Sequence, residues 1–326
     1  MTSVNPPSSS FWAWLSLVRI PAIFTVIAQV AAAFACSAGS FEPVARLVVV
    51  LIAAICLYWA GMILNDVWDV ETDRLERPGR PLPSGAIAVS TARNAAWALL
   101  IAGVGIAGLS GFVPAAGYDS TWCPAIVAVA TAISIVLYNG LLKQTVAAPI
   151  VMGLCRALCF LLGASPVVIV AANNIGEPAQ WFAPWLVAAA VGMGLYIMGV
   201  TTISRSETTG GNLAEIVGGF VGIILGAIAM AISPQFADAA NFWAMLPRDR
   251  FMILMVMITL PIAVRGFRVV RHAEPAAVQN LVRAGVMTLI PFSAAFALLA
   301  AGPAYGLAVL ALFIPAVYAA ARFRVT

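Results

Sequence analysis

Along most of its length the chain alternates long apolar runs with short polar or charged segments, a pattern that predicts one membrane-crossing helix per run. A helix that crosses the hydrocarbon layer needs about 20 mainly apolar residues. Ten runs meet that requirement: 13–37, 45–65, 92–112, 124–142, 146–171, 183–203, 213–233, 250–267, 284–301 and 303–321. Only Gly302-Pro303 separates the last two, so nine crossings ending in one broken helix is the alternative. The expected fold is all-α, a polytopic transmembrane helix bundle of nine or ten helices around a central polar cavity open to the cytosol.

Composition removes the competing class. Hydrophobic residues make up 63% of the 326 positions and charged residues 9%, whereas soluble domains are roughly half apolar and a quarter charged. A water-soluble fold is excluded. The expected division is a cytosolic N-terminal segment at 1–12, one transmembrane domain at 13–321 and a short basic tail at 322–326. The opening MTSVNPPSSSFW has neither a basic start nor a small-residue cleavage site, so no cleaved signal peptide is expected.

Charge then gives direction. With a cytosolic N-terminus and ten crossings, fourteen of the seventeen basic residues fall on the cytosolic side, and only Arg46, Arg248 and Arg250 fall outside. That is the positive-inside bias, and nine crossings would leave Arg322 and Arg324 on the wrong face. An integral protein of a bacterial inner membrane is expected, its polar loops cytosolic. The net charge of +4 therefore reports topology, and no nucleic-acid partner is expected. Cys36, Cys56, Cys123, Cys155 and Cys159 all sit in or beside apolar runs without CxxC spacing, and read as small buried hydrophobes.

The second run ends in Asn65-Asp66-Val67-Trp68-Asp69-Val70-Glu71-Thr72-Asp73. Asn65, Asp69 and Asp73 recur every four residues, which stacks their oxygens on one helix face, and Asp66 lies three before Asp69. Negative charge at a helix C-terminus opposes the macrodipole, so helix stability does not explain the cluster. Carboxylates at a membrane boundary are functional by default, and hard oxygen ligands suit Mg²⁺, which prefers carboxylates, waters and phosphate oxygens. Next comes Arg74-Leu75-Glu76-Arg77-Pro78-Gly79-Arg80-Pro81-Leu82-Pro83-Ser84-Gly85. Arginine forks bind phosphate oxygens, so a diphosphate bridged by Mg²⁺ is the simplest common substrate. Arg74, Arg77 and Arg80 as positive-inside anchors alone is the simpler alternative.

On these residues the chain resembles the UbiA family of intramembrane prenyltransferases. The signature NDxxDxxxD is matched by Asn65, Asp66, Asp69 and Asp73, and RPxRPLPSG resembles the family's arginine and proline loop. Leu17-Val18-Arg19-Ile20-Pro21 and Tyr138-Asn139-x-Leu141-Leu142-Lys143 are also similar, and the likeness runs through nearly the whole chain in helix order. It implies that the aspartates hold Mg²⁺ on an isoprenyl diphosphate, that Arg19, Arg77, Arg80 and Lys143 neutralise its oxygens, and that the prenyl tail lies between helices. The implied reaction transfers the prenyl group to an electron-rich small-molecule acceptor. Asp66, Asp69, Arg80 and Lys143 are the expected catalytic groups, Tyr138 a substrate contact, and Tyr58, Trp59, Trp68 and Tyr196 candidates to offer a π-face to an allylic cation.

Leu57-Tyr58-x-x-Gly61, which leads into Asn65, is echoed 138 residues later by Leu195-Tyr196-x-x-Gly199, which leads into Ile203-Ser204-Arg205-Ser206-Glu207. Glu207 then matches Asp69, while Ile203 stands where the family's second motif has its first carboxylate. This Ser-Arg-x-Glu form resembles the EboC branch of the family. Glu207 is the remaining candidate metal ligand, and Arg205 a cation for the diphosphate. The alternative is a non-catalytic relative that binds, or helps export, a lipid or secondary metabolite. Arg156, about ten residues into the fifth run, either reaches the substrate or snorkels to the cytosolic face. His272, the only histidine, is expected in solvent.

Overall fold

The structure, a computed structural model, describes residues 10–168, 181–206, 212–237 and 248–322. Every regular element among them is helical. They run α1 (Ser10–Leu17), α2 (Ile20–Ala38), α3 (Val44–Trp68), α4 (Val70–Glu76), α5 (Val89–Ser110), α6 (Cys123–Leu137), a π-helical turn (Tyr138–Leu142) and α7 (Ala148–Ala164). After them come α8 (Pro184–Ser204), α9 (Leu213–Ile232), α10 (Arg248–Arg271), α11 (Pro275–Met287), α12 (Leu289–Ala301), α13 (Pro303–Ala311) and α14 (Phe313–Arg322). Ten stretches among the described residues are long and apolar enough to cross a membrane. Gly302, at φ 102, separates the last two as distinct helices.

Two expected boundaries move. The first run is not one helix from residue 13: it breaks at Val18–Arg19, where Arg19 takes left-handed backbone angles (φ 48, ψ 61) and Pro21 sits in the first turn of α2. The ninth begins at Pro275 rather than residue 284. Its first half is too polar to stand out in a hydropathy window, yet Val278, Leu281 and Gly285 are buried on one face.

Neighbouring spans pack side by side, and the ring closes where α12 and α14 return to α2. Between apolar helices in lipid, close van der Waals packing does the holding, so small residues mark the seams. On α2, Ala28, Ala31, Ala32 and Ala35 face Ala294 and Ala297 of α12 and Ala316 of α14. Gly163 lets α7 approach α2 so closely that a Cβ there would stand 2.3 Å from the Val30 carbonyl oxygen. Between α8 and α9, a Cβ on Gly199 would stand 2.4 Å from the Gly219 oxygen. Besides that alanine seam, two larger apolar cores result, one around α2, α3, α5, α6 and α7, the other around α7 to α12.

Arg46, counted above as an exception to the charge bias, is only 1% exposed. Its Nε donates to the Val113 oxygen at 2.8 Å, Nη1 to the Asp119 and Pro166 oxygens at 3.1 and 2.6 Å, and Nη2 to the Tyr118 oxygen at 3.5 Å. One side chain therefore ties the α5–α6 connection to the end of α7. Hydrogen bonds to a charged group contribute about 1.5–3 kcal/mol each, so Arg46→Met should lower stability by at least about 2 kcal/mol. The readout is a lower thermal midpoint of the solubilised protein and faster proteolysis between residues 111 and 122. Arg46→Lys should recover only part, because one ammonium cannot reproduce the fork. An unchanged midpoint in Arg46→Met would show that the connection is held by other contacts.

Candidate functional site

At Asp69 the second span ends as an α-helix but not as a hydrogen-bonded ladder. Asp69 N–H donates to the Asn65 oxygen at 3.1 Å, Asp73 N–H to Asp69 at 2.8 Å and Arg77 N–H to Asp73 at 2.8 Å. The four-residue stacking of Asn65, Asp69 and Asp73 therefore continues from α3 into α4. Each aspartate has its own cation. Arg19 Nη2 lies 3.1 Å from Asp66 Oδ1, Arg80 Nη1 lies 2.7 Å from Asp73 Oδ2 and 3.9 Å from Asp66 Oδ1, and Lys143 Nζ pairs with Asp69 Oδ2. Lys143 also donates to Asn65 Oδ1 at 2.8 Å, and Asn65 Nδ2 donates to Asp66 at 3.2 Å and Asp69 at 3.4 Å.

Separate local structures deliver these cations. The left-handed residue before α2 is Arg19 itself, and the Tyr58 hydroxyl donates to its carbonyl at 3.2 Å. Arg80 rides on consecutive turns between residues 77 and 87, where Arg80, Ser84, Gly85 and Ile87 each donate a backbone N–H within the loop. Leu82 and Ile87, 3% and 5% exposed, root that loop in the core. Lys143 directly follows the π-helical turn that closes α6.

Not every expected residue joins this cluster. Arg77 is exposed and forms no ion pair among the described residues, and Arg74 pairs with Glu71 on the surface at 2.7 Å. Arg205 is exposed and donates to the Thr145 oxygen at 2.8 Å, which ties the end of α8 to the connection that carries Lys143. The two echoed segments thus end at the same end of the bundle. Ile203 is fully buried and packs on Gly219 of α9. Glu207 lies outside the described residues.

A cavity of about 90 Å³ adjoins the cluster at Asn65 and Tyr138. Its walls are largely apolar, with Val26, Leu57, Met62, Ile135, Met152 and Leu162 among them, and its polar groups include Tyr58, Asn139 and Arg156. Arg156 does not run to the helix end: its Nη1 donates to Thr25 Oγ1 at 3.2 Å and Gln29 Oε1 at 3.0 Å. Sequence reasoning overlooked Thr25 and Gln29, though two polar residues one turn apart in an apolar run were a readable signal. Of the aromatic candidates, Tyr58 lines the cavity and Tyr196 does not: it is buried in the other core and donates to the Gly285 oxygen at 3.0 Å. Trp68 is 41% exposed, Trp59 packs against the first core, and His272 is exposed. All five cysteines are free.

Whether Mg²⁺ fits can be judged from the donors. Asn65, Asp66 and Asp69 offer hard oxygens from one helix end, and Asp69, 29% exposed in its side chain, is more open than Asp66 at 9% or Asp73 at 6%. Among the described residues no three acidic, histidine or cysteine side chains gather as a closed cage. The oxygens of Asn65, Asp66 and Asp69 suit an ion that keeps waters and takes phosphate oxygens.

Known proteins resemble this chain in sequence and in fold. A digeranylgeranylglyceryl phosphate synthase from Methanoculleus marisnigri is 37% identical over 107 residues, 33% of this chain and 34% of the relative. The chain thus spans about a third of the length of that curated relative. A solved structure concerning digeranylgeranylglyceryl phosphate synthase in membranes superposes with a TM-score of 0.61 at 18% identity, covering 90% of this chain and 99% of the other. A UbiA homologue from Archaeoglobus fulgidus bound to DMAPP and Mg²⁺ superposes with a TM-score of 0.54 at 15% identity, covering 91% and 99%. At those identities the structures establish the shared fold. Residues 25–207, which contain the whole aspartate cluster and every residue lining the cavity, match the UbiA prenyltransferase family, and the chain belongs to that family.

Proposed function

We propose that the chain transfers an isoprenyl group from an allylic prenyl diphosphate to a small-molecule acceptor within the membrane, with Mg²⁺ as cofactor. The observation that carries this reading is the join between the Asn65–Asp66–Asp69 oxygens, with Arg19, Arg80 and Lys143 around them, and an apolar cavity. Such a join suits a molecule with a polyanionic head and a hydrocarbon tail. The Archaeoglobus homologue, bound to DMAPP and Mg²⁺, supports the donor class. Arg205 stays a candidate cation at the rim, and Arg77 would have to swing inward. The positive-inside bias supports a cytosolic site in a cell membrane.

In the proposed reaction the bond between prenyl C1 and the diphosphate oxygen breaks, and its electron pair leaves with the diphosphate. An electron-rich atom of the acceptor bonds to C1, and the acceptor loses a proton. Mg²⁺, when bound, would neutralise developing charge on the diphosphate, with Asn65, Asp66 and Asp69 as its holders. Arg19, Arg80 and Lys143 stabilise the same charge from fixed positions, and Asp73 keeps Arg80 in place. Tyr58 and Tyr138 line the cavity, where an aromatic ring can stabilise an allylic cation.

The test supplies labelled prenyl diphosphates of several chain lengths to the solubilised protein and follows Mg²⁺-dependent diphosphate release and prenyl transfer. Release is expected with at least one length, and Asp69→Ala should reduce it by about 100-fold or more. Binding of every donor without release would sink the catalytic reading and leave a lipid-binding relative.

Position 203 gives an independent check. Since Ile203 is packed on Gly219 and not turned to the aspartates, Ile203→Asp should bury an unpaired carboxylate and destabilise the protein by about 3 kcal/mol. It should not increase Mg²⁺ dependence. A stable, more Mg²⁺-dependent variant would mean that position 203 faces the site after all.

A further inference from the structure

Among the described residues, Arg19 is the one non-glycine residue with left-handed backbone angles. An L-residue enters that region at a steric cost that glycine escapes. A bend between α1 and α2 alone would be met more cheaply by glycine, so an arginine here is kept for its side chain, and its conformation needs support from the surroundings. Local support comes from both sides. Leu17 and Val18 are buried, Pro21 is buried in the first turn of α2, and the Arg19 N–H donates to the Ser16 oxygen at 3.2 Å. The Arg19 carbonyl accepts twice, from the Ala22 N–H at 3.1 Å and from the Tyr58 hydroxyl at 3.2 Å. Of these hydrogen bonds only the one from Tyr58 reaches in from a distant part of the chain.

The second span therefore holds Arg19 at two points. Tyr58 meets the carbonyl and Asp66 meets the guanidinium, 3.1 Å from Nη2. The two side chains are eight residues apart on α3, about 12 Å and a little over two turns, so both leave the helix toward the same neighbour. Rotation of Arg19 out of the left-handed region would redirect its Cα–Cβ bond and carry the guanidinium away from Asp66. The echoed tyrosine gives the contrast: Tyr196 donates to the Gly285 oxygen at 3.0 Å, but Gly285 lies within α11 and its backbone needs no such support.

We infer that Tyr58 is a positioning residue for the donor diphosphate: by holding the Arg19 carbonyl, its hydroxyl fixes the left-handed conformation that aims the Arg19 guanidinium at the Asp66 edge of the site, where it meets a phosphate oxygen. The role belongs to the hydroxyl and is separate from any contact between the ring and a prenyl group. The inference rests on the prenyl-transfer reading and adds to it a residue whose effect passes through Arg19.

The test uses the full chain in lipid nanodiscs and two readouts. The first is affinity for non-transferable prenyl thiodiphosphates of several lengths with Mg²⁺, taking the one that wild type binds best. Tyr58→Phe keeps the ring and removes the hydroxyl, and should weaken binding by about fivefold, the scale of one neutral hydrogen bond. Arg19→Gln should weaken it by about tenfold or more. The double variant should fall within about twofold of Arg19→Gln, because an effect that passes through Arg19 vanishes with it. The second readout is amide hydrogen exchange over residues 16–22 without ligand, which Tyr58→Phe should speed by about fivefold or more. Tyr196→Phe, which loses a comparable buried hydroxyl in the other core, should leave both readouts within about twofold of wild type and so separates general loosening from this contact.

Wild-type affinity in Tyr58→Phe, or unchanged exchange over residues 16–22, would overturn the inference. So would a double variant in which both losses add in full, or equal effects from Tyr196→Phe. Failure of wild type to bind any of the thiodiphosphates would instead count against prenyl transfer itself, and the exchange readout would then decide alone whether Tyr58 holds Arg19 in place.

Discussion

Three carboxylates at the C-terminal end of an apolar helix have to be neutralised, and the architecture around them follows from that requirement. The helix end contributes partial negative charge of its own, and Asp66 and Asp73 are buried. Lone ionised acids in such a place would cost several kcal/mol each. The structure meets them with three cations, each delivered by a departure from regular helix: the left-handed Arg19, the turns that carry Arg80, and the π-helical turn ahead of Lys143. All three departures lie at the site. These cations are also the groups best able to exchange an aspartate for a phosphate oxygen.

The internal echo has diverged in its packing more than in its outline. Tyr58 and Tyr196 occupy matching positions, and each donates its hydroxyl to a backbone oxygen on another segment. Around Tyr58 a cavity opens; around Tyr196 the space is filled, with Phe292 against its ring at 5.2 Å between centroids. Ile203 belongs to that filled half, where glycines bring α8 and α9 into contact. Loss of the carboxylate there accompanies a closed, close-packed seam, and every residue lining the cavity lies between positions 26 and 162.

Much of this was legible in the sequence because the strongest signals are local. Apolar length marks a crossing, and the spacing of Asn65, Asp66, Asp69 and Asp73 marks an oxygen cluster before any tertiary contact is known. What escaped depends on tertiary partners. The break at Arg19 sits inside an apolar run, and the Tyr58 hydroxyl that meets its carbonyl comes from another helix. Residues 275–283 look like a basic connection until their buried face is seen. Thr25 and Gln29 gain meaning only when α7 brings Arg156 beside them.

Arg46 and Arg156 show why a charge inside a span cannot be interpreted from its depth alone. Both sit within apolar helices, and both would be flagged as functional on the cost of placing a cation there. Arg46 uses all three of its nitrogens on four backbone oxygens, so it has no capacity left for a ligand and acts as a staple. Arg156 uses one nitrogen on two side-chain oxygens and lines a cavity. A fully met guanidinium stabilises the fold whatever binds elsewhere. A partly met one keeps an unfavourable term that an anion from outside the chain can remove, so hydrogen-bond satisfaction, and not depth, distinguishes the two arginines.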